Sequence, residues 1–319
     1  MSLRLSTVIL PHRRWHEGGG ATWQRAEDLG FHAAYTYDHL SWRVPFRDGP
    51  WFGAVPTLTA AAVVTDHIRL GTLVTSPNFR HPVTLAKELI SLDDISGGRI
   101  TLGIGAGGSG FDATAVGQEP WTLRERADRF AEFVPLLDRL LTEDTTTYTG
   151  KFYAAGDVRN IPGCVQNPRL PFAVAATGPR GLRLAARYGQ AWVTTGDPQL
   201  YETGTPDQSI QAIRGQVEKL GEACEEIGRS ATPDVENGGI EKILLTGFTP
   251  EFRSPGGSAE GHPLDSLDAF VDFAGRHAEL GFTEIVVHWP IPDTPFAADE
   301  KVFEQIATEA VEQLGRPGS

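Results

Sequence analysis

The chain has 319 residues, 40% hydrophobic and 22% charged, so it carries enough apolar material for a sizeable core and does not have a disordered composition. A formal net charge of −13 argues against a nucleic-acid partner, since no Lys/Arg cluster is long enough to neutralise phosphates. No run of about 18 apolar residues is present, so no membrane span is expected, and MSLRLSTVIL is too short in its apolar part for a signal peptide.

Short β-branched runs alternate with amphipathic stretches from end to end. In chain order, a strand at 4–10 precedes a helix near 19–29, a strand at 32–37 precedes one near 54–65, and a strand at 68–74 precedes one near 82–95. The strand at 99–104 leads to a helix at 123–142, and the strand at 171–176 to one near 179–187. Strands at 191–194, 240–245 and 283–288 are followed by helices near 207–228, 265–280 and 298–314. Eight strand–helix units imply a parallel sheet closed on itself: an α/β fold, a (β/α)₈ TIM barrel spanning 1–319 as a single domain. Helix 123–142 shows the pattern best. Leu123, Ala127, Phe130, Val134, Leu137 and Leu141 form one apolar stripe, Thr122 and Glu125 a capping box, and Pro135 sits inside. Residues 38–53, 143–170 and 246–263 are long loop insertions, as lids and binding elements usually are. Cys164 and Cys224 lack any metal-ligand spacing; a reducing cytoplasm fits, and no metal site is expected.

The stretch TLGIGAGGSG (101–110) contains the dinucleotide pattern G-x-G-x-x-G. A Rossmann turn would open a helix within the motif, whereas these glycines run into FDATAVGQEPW, which does not read as a helix opening. The strand is also the fourth of eight. The remaining readings are a flexible loop, or a barrel strand ending in glycines so that its backbone can approach a planar or phosphorylated ligand. The other strand ends favour the latter: Tyr37-Asp38-His39, Val74-Thr75-Ser76-Pro77, Ala176-Thr177-Gly178-Pro179, Thr194-Thr195-Gly196 and His288-Trp289. They lack the histidine sets of metal hydrolases and the paired acids of glycosidases.

YTYDHLSW (35–42), the long block 68–107 and AATGPRGLRLAARYGQAW (175–192) make the chain resemble the luciferase-like flavin and deazaflavin oxidoreductases. Gly178-Pro179-Arg180 and the helix after it resemble the branch using coenzyme F420, an 8-hydroxy-5-deazaflavin, more than the FMN branch. The resemblance implies that Asp38 and His39 contact the ring and that a cis peptide at Leu73–Val74, beside Thr75, backs it. It also implies that Gly105, Ala106 and Gly107 line the cofactor, while Ala176, Thr177, Gly178 and Pro179 bind its phosphate. Deazaflavin-dependent sugar-phosphate dehydrogenases of the family carry a catalytic Glu where this chain has Gly108. That departure, with no convincing lysines for a substrate phosphate, points to another alcohol, an enone or an imine.

His39 is the candidate proton-transfer group, assisted by Asp38; the alternative is a buried histidine bonded to Asp38 or a carbonyl. Trp42, Trp51, Phe79 and Trp289 are candidates for the substrate pocket, with Phe52 beside them, and the alternative for each is packing. His288 is a candidate for facing the cavity, Arg180 and Arg183 either meet the cofactor's acidic tail or are solvated on their helix, and Glu88 is either helical surface or part of a salt bridge. The function expected is hydride transfer between coenzyme F420 and a small organic substrate. The alternatives are an FMN-dependent monooxygenase on the same fold and a non-catalytic flavin or deazaflavin carrier. Nothing in the residues demands a homodimer, which is common in the family.

Overall fold

A computed structural model describes residues 3–233, 238–253 and 261–314. Four strands come first: β1 (Arg4–Val8), β2 (Ala33–Thr36), β3 (Arg69–Thr75) and β4 (Ile100–Gly105). An antiparallel hairpin follows, β5 (Thr145–Thr149) and β6 (Ala154–Arg159), and then β7 (Phe172–Ala175), β8 (Ala191–Thr194), β9 (Glu241–Leu245) and β10 (Glu284–His288). The hairpin apart, the strands close in the order β1-β10-β9-β8-β7-β4-β3-β2, and every neighbouring pair is parallel. This is the expected (β/α)₈ barrel, and a closed ring of strands leaves no place for a Rossmann switch point.

Its outer layer is α1 (Gly19–Asp28), α2 (Ala54–Val64), α3 (Pro82–Ile95), α4 (Phe111–Ala115), α5 (Leu123–Thr142), α6 (Pro179–Tyr188), α7 (Leu200–Thr203), α8 (Pro206–Glu225), α9 (Leu267–Ala278) and α10 (Glu300–Leu314). Trp23, Phe130, Phe172, Trp192, Phe270 and Phe303 are almost wholly buried between helices and strands. Inside the barrel, Val8, Tyr35, Val193, Ile243 and Val286 fill the bore. Among the described residues no helix is long and apolar enough to cross a membrane.

Three expectations need correction. The insertion 143–170 contains the β5–β6 hairpin, whose threonine-rich first strand TTTYT is a recognisable β signal. Its turn lies on α5: Glu132 accepts the amides of Lys151, Phe152 and Tyr153, and Tyr153 packs edge-on against Phe133. The cover widens the buried face of α5 to Phe133, Leu136 and Leu140, while Leu123 at its start is 79% exposed and leaves the stripe. The Thr122–Glu125 capping box forms as expected. FDATA does form a helix, the single turn α4, capped only by the backbone of Gly110. Within 246–263 a 3₁₀ turn spans Pro250–Phe252, and 254–260 lie outside the described residues.

Two histidines are folded into apolar surroundings. Burial pushes His277 down to about 4, although its bond to the Phe273 carbonyl (2.8 Å) favours the charged form. Burial pushes His288 down to about 3. Both fold neutral, so the unfolded chain takes up protons first as pH falls below the ordinary histidine value. Their contribution is complete above about pH 6.5 and is lost progressively toward pH 4 and 3, on the order of 3 kcal/mol for each. In urea titrations, His277→Gln should lose less stability than wild type between pH 7 and 4; parallel curves would contradict this account.

Candidate active site

At the carboxyl ends of β3, β4, β7, β8 and β9, facing α5 and α6, lies a cavity of about 650 Å³. Leu73 and Val74, joined by the expected cis peptide, form one wall where β3 shifts register against β4. Gly105, Ala106 and Gly107 form the next, and Ala176, Thr177, Gly178 and Pro179 the third. Side chains would block two of these places. A Cβ on Gly107, which sits at φ +77°, would meet Asn78 Oδ1 at 2.7 Å, and one on Gly105 would meet Val74 at 3.1 Å. A flat ring approached by backbone from two sides needs such a cradle.

The third wall is a helix start of the kind that can hold an anion. Gly178 caps α6, Pro179 opens it, and its first turn carries no acid, so its free amides and dipole face the cavity unopposed. Gly181 lets the helix start sit against β7, since a Cβ there would meet that of Ala176 at 2.7 Å. Arg126 of α5 also lines the cavity and donates to the Gly107 carbonyl (2.6 Å), fixing the glycine loop. The Ser76 hydroxyl is buried, borders the cavity and has no hydrogen-bond partner among the described residues. A ligand rich in ring heteroatoms and ending in phosphate fits this arrangement.

His39 is the cavity's imidazole. Side chains alternate along the extended segment leaving β2: Tyr37 turns into the barrel, Asp38 away and His39 to the cavity. Asp38 is 1% exposed, and its carboxylate is committed to Arg80 through bonds of 3.0 and 2.7 Å. Arg80 also pairs with Glu88 at 3.0 Å, which decides for the salt bridge between the two readings of that residue. Burial lowers the Arg80 pKa, but the bond and charge of Asp38 outweigh it and leave it raised. Asp38 is therefore a buried clamp and not the assistant of His39. The carboxylate that meets His39 is Asp112 on α4: its Oδ2 lies 2.5 Å from His39 Nδ1, and its Oδ1 accepts the Leu40 amide at 2.7 Å. Asp112 escaped the sequence reading because a five-residue helix with a glycine cap has no periodicity to show.

The expected aromatic wall is mostly elsewhere. Trp42 lies 4.4 Å from the His39 ring and is stacked in turn on Trp51, whose Nε1 donates to the His39 carbonyl (2.8 Å). Both brace His39 from behind and do not line the cavity. Phe79 carries the Arg80 guanidinium at 5.0 Å, and Thr75, 1% exposed, spends its hydroxyl on Thr72. His288 is sealed in, hydrogen-bonded to the Tyr37 hydroxyl (2.7 Å) and stacked on Phe296 at 3.9 Å. Its neighbour Trp289 points the opposite way, against Phe31 and Phe303. Trp289 and Phe52 border a larger cleft of about 880 Å³ beside α1 and α2. That cleft lies beyond the ends of β1 and β10 and holds no glycine-rich strand end; the smaller cavity, which gathers five strand ends, the cis peptide and His39, is the candidate site. Arg180 lines it but is paired with Asp128, and Arg183 is paired with Glu226 away from it.

Comparisons with known proteins find relatives in sequence and in fold. The chain is 30% identical to an F420-dependent glucose-6-phosphate dehydrogenase of Beutenbergia cavernae, covering 91% of this chain and 90% of that protein. It is 31% identical to a 4-hydroxyprotoasukamycin monooxygenase of Streptomyces nodosus subsp. asukaensis, over 69% of this chain and 58% of that one. In three dimensions it superposes on an F420-dependent secondary alcohol dehydrogenase holding an F420–acetone adduct, with a TM-score of 0.74, 18% identity, and 97% and 100% of the two chains covered. Residues 19–233 match the family described as luciferase-like monooxygenase, and the chain belongs to that family.

Proposed function

We propose that the protein is an F420-dependent oxidoreductase that moves a hydride between the deazaflavin and a small alcohol, enone or imine. The observation that carries this reading is the cavity: the cis-linked Leu73–Val74 wall, the glycine wall of Gly105 to Gly107, an acid-free helix start on the third side, and the His39 imidazole. The similarity to F420-dependent dehydrogenases over most of the chain supports the choice of cofactor. When bound, the deazaflavin supplies the hydride acceptor or donor, its C5.

The protein's own residues position and handle protons. Leu73, Val74 and Gly105 to Gly107 would hold the ring, with the Ser76 hydroxyl free to bond its edge. Thr177 and the α6 amides would hold the phosphate, with Arg126 beside the glycine loop. His39 would give or take the proton at the substrate oxygen or nitrogen. Mostly apolar walls, including Val193 and Leu245, would keep water from the reacting atoms.

Fluorescence titration with F420 and, separately, with FMN tests the reading. F420 should bind at least tenfold more tightly, a difference of about 1.4 kcal/mol. Tighter binding of FMN, with oxygen consumed on addition of its reduced form, would establish the monooxygenase alternative instead.

A further inference from the structure

We propose that Asp112 replaces the carboxylate that Gly108 lacks, and that it acts as a positioning residue, reaching the substrate only through His39. This rests on the deazaflavin reading of the cavity. Gly108 lines the cavity, and a Cβ on it would meet nothing nearer than the Gly110 amide at 3.8 Å. Its carbonyl is tied to the Asn78 side chain at 3.0 Å. An acid would have room there, and none is present. Four residues later α4 delivers one to a different place.

The Asp112 carboxylate is 3% exposed and uses both oxygens, one for the His39 ring and one for the Leu40 amide. Among the described residues its only ion-pair partner is that imidazole. The nearby cations are otherwise engaged: Arg43 lies over Trp42, Arg47 over Phe111 with a bond to Ser41, and Arg80 holds Asp38. The remaining titratable neighbour, Tyr37, meets the His39 ring edge-on and has its hydroxyl on His288. A carboxylate can only accept, so His39 Nδ1 carries a hydrogen and donates it. In the neutral ring the lone pair is then on Nε2, which has no partner among the described residues.

This tautomer makes His39 a base in the oxidising direction. With a bound deazaflavin to take the hydride, the substrate's hydroxyl proton would pass to Nε2 as its C–O bond becomes a carbonyl. Asp112 keeps its charge and stabilises the imidazolium that forms. In the reducing direction the same proton returns to the oxygen.

The tests are Asp112→Asn and Asp112→Glu in the F420-loaded enzyme, together with ¹⁵N spectra of His39 in the protein alone. One amide oxygen cannot take both carboxylate places: with it on the Leu40 amide, the asparagine NH2 faces His39 Nδ1, which must then accept, and the ring's hydrogen moves toward Nε2. Asp112→Asn should keep F420 affinity within about twofold and lower kcat about 100-fold with little change in KM. Its His39 signals should change from one Nδ1–H form to a mixture, and Asp112→Glu should recover part of kcat. Unchanged kcat and unchanged His39 signals in Asp112→Asn would overturn the proposal. If that variant does not fold, wild type still decides: an Nε2–H tautomer would overturn the proposal and an Nδ1–H tautomer would support it. Absence of F420 binding by wild type would instead overturn the cofactor reading, while the tautomer test remains valid.

Discussion

His39→Ala should lower turnover by about 10²- to 10⁴-fold while F420 affinity stays within a few-fold, because it removes the cavity's proton carrier and leaves the cradle intact. The backbone there does not depend on the imidazole. Trp51 holds the His39 carbonyl, Asp112 the Leu40 amide, and Arg80 the side chain of Asp38. The variant does strand the buried Asp112 carboxylate without its ion-pair partner, so some loss of thermal stability should accompany the kinetic effect. Steady-state rates and a fluorescence titration on the same preparation separate the two. Turnover within tenfold of wild type would remove His39 from the proton-transfer role.

The largest structural effect is expected from one methyl group. A Cβ on Gly103 would lie 2.0 Å from the Thr72 carbonyl oxygen and 3.0 Å from Leu73, where the register of β3 shifts against β4. Both neighbours are buried, and the Thr72 hydroxyl is itself bonded to the Gly103 carbonyl at 2.8 Å. No side-chain rotation relieves a clash with backbone. Gly103→Ala should therefore cost about 4 kcal/mol or more, read as a lower urea midpoint or as loss of folded protein. Gly110→Ala is the control: its Cβ meets nothing within 4 Å, and the change should stay within about 1 kcal/mol. Equal stability of the two variants would contradict the argument. In the G-x-G-x-x-G pattern, then, Gly103 serves strand packing and Gly105 borders the cavity.

All eight barrel strands were legible because each is a short apolar run whose end is punctuated, and the alternation with helices leaves little choice of fold. The cavity's backbone walls were legible for the same reason, being the ends of those strands. The side chains around it were less so. Treating neighbours as sharing a direction put Asp38 with His39 and Trp289 in the pocket, whereas alternation along an extended chain sends each away. Asp112 is a contact across 73 positions, made by a helix too short for any periodic signal. The hairpin's first strand, TTTYT, carries a β signal, but it stands inside a stretch that reads as one long loop insertion.

The filled bore has a consequence for traffic. With Tyr35, Val193, Ile243 and Val286 packed across the barrel's interior, the cavity is a cul-de-sac with no passage through to the amino-terminal face. Anything that enters or leaves it does so on the carboxyl-terminal side, among the loops that carry His39 and Asp112.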